Sequence, residues 1–440
     1  MRFRRRKRRL FYGWYVLAAS FIVLFLSGGS RFALGVMVKP MEADLGWSRG
    51  AISSAVFVNL VVYALSTFIT GSLYDRYGPK WIIVGSTLCF SAGHALLATA
   101  SSLWQLYLYF GVLNAAGLAG VTVTLFGSLI GNWFERRRGL AVSLAFAGTC
   151  VGQFALVPFL SDLTAVYGWR TANLWIAGVC LVVNLSLTFW IIRGNPDALG
   201  LQPYGRHDLA PSDPGPASGS ASSGRAARPA PAGPRDLSLA EAMRSRSLWL
   251  FTLALFACGS ADFLVNYHLV PMVTDYGLSE GVAANMLAWL GLLSLAGILV
   301  AGPLADKIGN KIPIALTFVL RLALFVMLIF SKGPAPFWIF SLGFGFTLLV
   351  AAPLTTTLIG DLYGVTHIGF ITAFVNTVHT FGGGLGALMG GVVHDHTQDY
   401  DLAFLVSAGL AAVAVVCSLL IRERRHLPSG STVEGDVSRP

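Results

Sequence analysis

RFALGVMVKPMEADLGWSRG, Arg31 to Gly50, recurs as DFLVNYHLVPMVTDYGLSEG, Asp262 to Gly281, at an offset of 231 residues. Pro40, Met41, Asp44, Gly46, Ser48 and Gly50 reappear as Pro271, Met272, Asp275, Gly277, Ser279 and Gly281. The same offset carries GSLYDRYGPK (Gly71 to Lys80) onto GPLADKIGNK (Gly302 to Lys311). Two matches at one offset identify a duplicated structure, two related halves in tandem. The register also sets Arg31 against Asp262.

Composition names the solvent of these halves. Only 12% of the 440 residues are charged, 55% are hydrophobic, and the mean hydropathy is +0.67. A soluble chain carries about 25% charged residues. The pattern predicts twelve spans at 14–38, 50–73, 81–101, 104–130, 139–163 and 169–192, then 248–272, 282–305, 313–331, 336–360, 366–393 and 402–421. Each can cross a hydrocarbon core of roughly 30 Å at about 1.5 Å per residue. The spans must be helices, because backbone polar groups find no partner in lipid. The expected fold is an all-α membrane protein of two pseudo-symmetric six-helix halves.

The net charge of +10 does not point to nucleic acid. With the N-terminus inside, the cytoplasmic segments hold 25 of the 31 Lys and Arg. Four fall outside (Lys39, Arg49, Arg170, Lys332) and two within spans (Arg31, Arg321). This is the positive-inside bias, so the charge sets topology, with both termini cytoplasmic. The basic run Arg2 to Arg9 precedes a first span read as retained, since no small-residue cleavage pattern follows it. The five Cys (Cys89, Cys150, Cys180, Cys258, Cys417) sit in apolar stretches with no metal spacing and read as small core residues.

The chain then divides into a basic N-terminus (1–13), one half (14–193), a cytoplasmic linker (194–246), the second half (247–421) and a tail (422–440). Pro211 to Pro234 is low-complexity and linker-like. After it, Ser238 and Glu241 have capping-box spacing, and an amphipathic helix is predicted over Ser238 to Arg246.

The GxLxDRxGxK pattern at 71–80, with its weaker copy at 302–311, resembles the signature loop of the major facilitator superfamily. The resemblance covers essentially the whole chain and implies alternating access. It also implies that spans 1, 4, 7 and 10 line a central cavity. Gly71, Asp75, Arg76, Gly78 and Lys80, with Asp306 and Lys307 in the second copy, are the candidate conformational latch. The glycines suit a tight turn, and the charges suit a helix terminus or the facing bundle. Phe11-Tyr-Gly-Trp14, Trp133-Phe-Glu-Arg-Arg-Arg-Gly-Leu-Ala141 and Tyr167-Gly-Trp-Arg170 are similar to the monocarboxylate transporter branch, especially its bacterial members. That resemblance implies lactate or pyruvate as substrate, often moved with a proton, or anion exchange of the oxalate/formate kind.

Charges inside a membrane are costly and mark function. Arg31 lies deep in span 1 and Asp262 deep in span 7, at similar depth by symmetry. Arg31 is the expected carboxylate site, because a guanidinium fork fits a carboxylate bidentately. Asp262 is the expected proton carrier, held by Arg31 in the empty cavity and taking a proton when substrate claims Arg31. The alternative is a permanent salt bridge between halves. His379, in span 11, could relay a proton or contact substrate, or be a buried neutral histidine. Asn59, Tyr63, Asn114, Gln153, Trp289 and Asn376 are candidate cavity-lining residues, although taken singly each reads as an inter-helix hydrogen bonder before a substrate contact. Arg321 in span 9 could turn inward to the cavity or pair with backbone carbonyls and reads as structural, His94 reads as packing, and His268 could gate the outer end of span 7 or cap it and reads as a cap. His394-Asp-His396 reads as a solvated turn rather than a metal site. Animal monocarboxylate transporters carry an Asp and an Arg in span 8. Here no charge lies between Glu280 and Asp306, so those roles do not transfer.

No catalytic constellation or nucleotide loop is present, so neither an enzyme nor ATP-driven transport is expected, and no cofactor or metal is required. The expected partners are a small carboxylate, a proton and the bilayer, with a monomer as the working unit in a bacterial inner membrane. Drug efflux is disfavoured because Gly148-Thr-Cys-Val-Gly152 lacks the Gly-Pro pattern of span 5 in efflux carriers. A non-transporting sensor would need a signalling domain that the sequence does not contain.

Overall fold

The computed structural model describes residues 11–205, 238–364 and 367–421. The basic run before Phe11, most of the linker and the tail after Ile421 lie outside the described residues. Among those described, ten helical segments are long and apolar enough to cross a bilayer. One of them, Arg138–Trp190, is two helices meeting at Gly168, where φ is 82°. Span 11, Ile368–Thr397, is helical throughout, but its glycines dilute its hydropathy. Twelve spans result, as expected.

The repeat is visible cap by cap. Span 2 is Arg49–Tyr77 and span 8 is Glu280–Ile308, each 29 residues, with bounds 231 apart. The Ser48 hydroxyl accepts from Ala51 N, and the Ser279 hydroxyl from Val282 N. Gly46 and Gly277 turn the chain before those caps at φ of 67° and 83°. Lys80 lies 4.9 Å from the Phe189 ring at the end of span 6. Its counterpart Lys311 donates to Leu419 O at 2.8 Å at the end of span 12. Each loop lysine is thus anchored in its own half.

Packing follows the same pseudo-symmetry. Span 1, Tyr12–Leu45, lies against span 5, and span 7, Arg246–Asp275, lies against span 11. Both seams depend on missing side chains. A Cβ on Gly152 would stand 2.1 Å from Phe25 O, and one on Gly259 1.9 Å from His379 O. Between halves, span 2 meets span 11 and span 5 meets span 8.

Helix breaks fall where the sequence predicted unbroken spans. Span 1 breaks at Phe32, span 4 (Leu103–Trp133) at Ala119 to Thr122, and span 10 (Pro334–Tyr363) at Leu349 and Val350. Span 4 also runs as π-helix over Tyr107–Asn114. The Phe110 carbonyl in that stretch accepts from the Asn59 amide at 2.6 Å. A short helix, Leu239–Arg244, carries the predicted capping box of Ser238 and Glu241.

Candidate functional site

Near the middle of the bundle, the two halves present different chemistry at equivalent positions. Arg31 ends the first helix of span 1, one residue before the break at Phe32. Its guanidinium lies 4.6 Å from the Tyr63 ring, 5.4 Å from Phe263 and 5.9 Å from Phe32. Its Nε is buried with no hydrogen-bond partner, and no carboxylate among the described residues pairs with it. Three aromatic faces stabilise the cation without using its donors. The Tyr267 hydroxyl, from the other half, donates to Arg31 O at 3.4 Å.

Asp262 does not reach across to Arg31, which corrects the expected pairing. Its Oδ1 lies 2.8 Å from Arg321 Nη1, within its own half. Its Oδ2 is 3.2 Å from His379 Nε2, and the Cys258 thiol donates to it at 3.6 Å. Arg321 is fully buried. It donates to the Thr347 hydroxyl and carbonyl at 3.1 Å each, and lies 4.6 Å from the Phe344 ring. Span 9 therefore turns its arginine inward. His379 is a quarter exposed, whereas the Asp262 carboxyl is about a tenth exposed. The histidine is the accessible member of the cluster.

The remaining candidates divide. Tyr63 and His379 join the charged site. Asn59 and Asn114 are buried together at 3.4 Å and tie span 2 to span 4. Gln153 donates to Asn266 Oδ1 at 3.1 Å and to Leu287 O at 3.3 Å, bridging the halves. Trp289 stacks edge-on against Phe154 at 5.2 Å, and Asn376 is exposed. His94 is buried 2.8 Å from Asn173, a packing role as expected.

At the Arg49 end of the bundle, the halves are sealed. Arg49 is buried and pairs with Asp275; it also bonds to Glu42 Oε2 at 3.0 Å and to the Tyr400 hydroxyl at 3.1 Å. Lys39 reaches Asp275 at 2.7 Å. Gly50 N donates to Asp395 Oδ2 at 2.9 Å. His268 is no end cap: it is buried, 3.2 Å from Ser53 across the halves and 2.8 Å from Ala387 O. The His394-Asp-His396 stretch is not a solvated turn either. It closes span 11, with His394 buried 3.5 Å from Asp275. Burial raises the pKa of the Tyr400 phenol, which stays protonated as a hydrogen-bonding hub. The sequence reading missed this seal. Its signal was Arg49, one of few cations on that side, beside the repeated Asp275.

At the opposite end, Gly71, Arg76, Asp306 and Lys307 are exposed, with open space around Gly71, Gly78 and Gly302. The Asp75 side chain lies outside the described ones. A seal between the halves at one end, exposed repeat loops at the other, and between them a cation with no carboxylate partner among the described residues define a multi-pass helical bundle of two related halves.

The chain matches the Major Facilitator Superfamily over residues 20–269 and 251–439, and it belongs to that family. It is similar to monocarboxylate transporter 13 of Bos taurus, 25% identical over 93% of this chain and 89% of that one. It is also similar to the oxalate:formate antiporter of Oxalobacter formigenes, 22% identical over 94% of this chain and 93% of that one. Among solved structures, the nucleoside transporter NupG (D323A mutant) shares the fold with a TM-score of 0.71 at 13% identity, covering 93% of this chain and 99% of that chain.

Proposed function

We propose that this carrier moves small monocarboxylates such as lactate or pyruvate together with a proton. The observation that carries the reading is Arg31, a half-buried arginine whose Nε has no hydrogen-bond partner and whose guanidinium has aromatic neighbours but no carboxylate among the described residues. A monocarboxylate supplies what is missing: its charged end takes the guanidinium donors and its apolar end meets Tyr63 and Phe263. On the facing wall, His379 and Asp262 hold the proton. The substrate does not compete for an Arg31–Asp262 pair. Its negative charge favours a proton on His379 through space, so anion and proton load together.

Alternating access then brings the 71–80 and 302–311 ends of the halves together and breaks the Arg49–Asp275 seal. The 71–80 and 302–311 loops act as latch in that closed state. On this reading the positive-inside bias puts the 71–80 and 302–311 loops on the cytoplasmic side, and the carrier works as a monomer in the inner membrane of a bacterium.

A second reading is anion exchange. It is favoured by the 2.8 Å Arg321 contact, which neutralises Asp262 without any proton. Labelled lactate uptake into empty proteoliposomes, with and without an inward proton gradient, separates the two. Gradient-driven uptake that falls in Arg31→Ala supports symport. Uptake only into vesicles preloaded with another anion supports exchange. No lactate flux in either condition removes lactate as substrate.

A further inference from the structure

We infer that Cys258, Asp262 and His379 form a binding site for one zinc-like divalent cation, and that its occupation stops transport. Their ligand atoms lie within 4.8 Å of one another. Cys258 and Asp262 stand four residues apart on span 7, so one helix face presents sulfur and oxygen together. His379 faces them from span 11. The helices are locked at that level because Gly259 leaves no room for a side chain beside His379 O.

The separations suit tetrahedral zinc. Zinc–ligand bonds of about 2.0–2.3 Å place neighbouring donors roughly 3.3–3.6 Å apart. Asp262 Oδ2 stands 3.2 Å from His379 Nε2 and 3.6 Å from Cys258 Sγ. The carboxylate divides its oxygens: Oδ1 belongs to Arg321, and Oδ2 is the shared atom of the other two. Arg321 Nη1 also donates to Cys258 Sγ at 3.3 Å, so a bound cation would share the sulfur with the guanidinium while the Oδ1 contact stays in place. The Cys258 thiol releases its proton to water on ligation, and the sulfur–metal bond replaces the S–H bond. Thiolate and carboxylate then offset the metal's charge beside Arg321. His379 is a quarter exposed, so water can reach the cluster to supply a fourth ligand. Mixed sulfur, nitrogen and oxygen donors select zinc or cobalt over magnesium or calcium. Held by the metal, His379 and Asp262 have no site for a transported proton.

The test is cobalt titration of the full-length protein, purified in detergent without a polyhistidine tag. Wild type is expected to develop a thiolate-to-cobalt absorption band at one equivalent, which zinc displaces. The band is expected to vanish in Cys258→Ser and weaken in His379→Gln. No band in wild type, or an equal band in Cys258→Ser, overturns the site. In unmutated protein, zinc is expected to protect Cys258 from alkylation, read by peptide mass. Unchanged alkylation overturns it as well. The inhibitory consequence rests on the transport reading and is read separately, as loss of lactate uptake on adding zinc to wild-type proteoliposomes. The cobalt band does not depend on flux, so failure of the site and failure of the transport reading are distinguishable.

Discussion

Arg31 and Asp262 occupy the same place in two copies of one backbone, yet among the described residues one has no ion-pair partner and the other has two basic neighbours. In the first half, the guanidinium rests on Tyr63, Phe263 and Phe32. In the second, Arg321 and His379 close on the carboxylate. The difference comes from elsewhere in each half: the counterpart of Arg321 is Phe90, so the first half has no charge to offer at that position. A duplicated scaffold thus specifies depth and direction, while unrelated substitutions on neighbouring helices decide whether a charge is spent on structure or left for a ligand.

The largest expected effect tests the paired side. Asp262→Asn leaves Arg321 buried without its anion, at a cost of about 3–5 kcal/mol. Thermal unfolding in detergent should show it, and adding Arg321→Gln should restore most of the stability. If that double variant also regains gradient-driven uptake, Asp262 is only a structural partner and the contrast between halves loses its functional meaning. Arg31→Ala should leave folding intact but weaken the apparent affinity for lactate by roughly 10- to 150-fold, about 1.5–3 kcal/mol for a charged hydrogen bond. Arg31→Lys should recover part of this, since a point charge lacks the planar fork. Unchanged KM in Arg31→Ala would remove the anion site from the first half.

The two ends of the bundle invite a similar test. Arg49→Ala removes the cross-half ion pair with Asp275 and should shift the conformer ratio by about 1–2 kcal/mol, roughly 5- to 30-fold. Spin-label distances between spans 2 and 8 at the loop end should shorten as that end closes. The smallest effect concerns what the halves share. Ser48→Ala and Ser279→Ala should each cost about 1 kcal/mol of thermal stability, because both hydroxyls cap equivalent helices. Unequal losses would show that the repeat is geometric without being energetic.

Much of the molecule was legible in advance. Hydropathy and charge bias indicated the spans, and the repeat paired Ser48 with Ser279, which the structure shows capping equivalent helices. The helix breaks were not legible, because Phe32 and Leu349 carry no proline or turn chemistry, and their irregular backbone is stabilised only by neighbouring helices. Nor was the pairing of Asp262. Symmetry suggested Arg31, but symmetry relates positions and says nothing of which side chain fills the space between them. Arg321 read as structural because span 9 is peripheral in the resembling family, yet its side chain is long enough to span the packed layer.

By itself, the sequence determined the solvent of this protein, its twofold internal repeat and the few charges that enter its core. Those follow from local composition and periodic spacing, which chain neighbours alone express. Only the tertiary structure decided the partners: Arg321 with Asp262, Arg49 with Asp275, aromatic rings with Arg31. Each joins helices distant in sequence, and a buried charge takes whichever counter-charge the packing brings within reach.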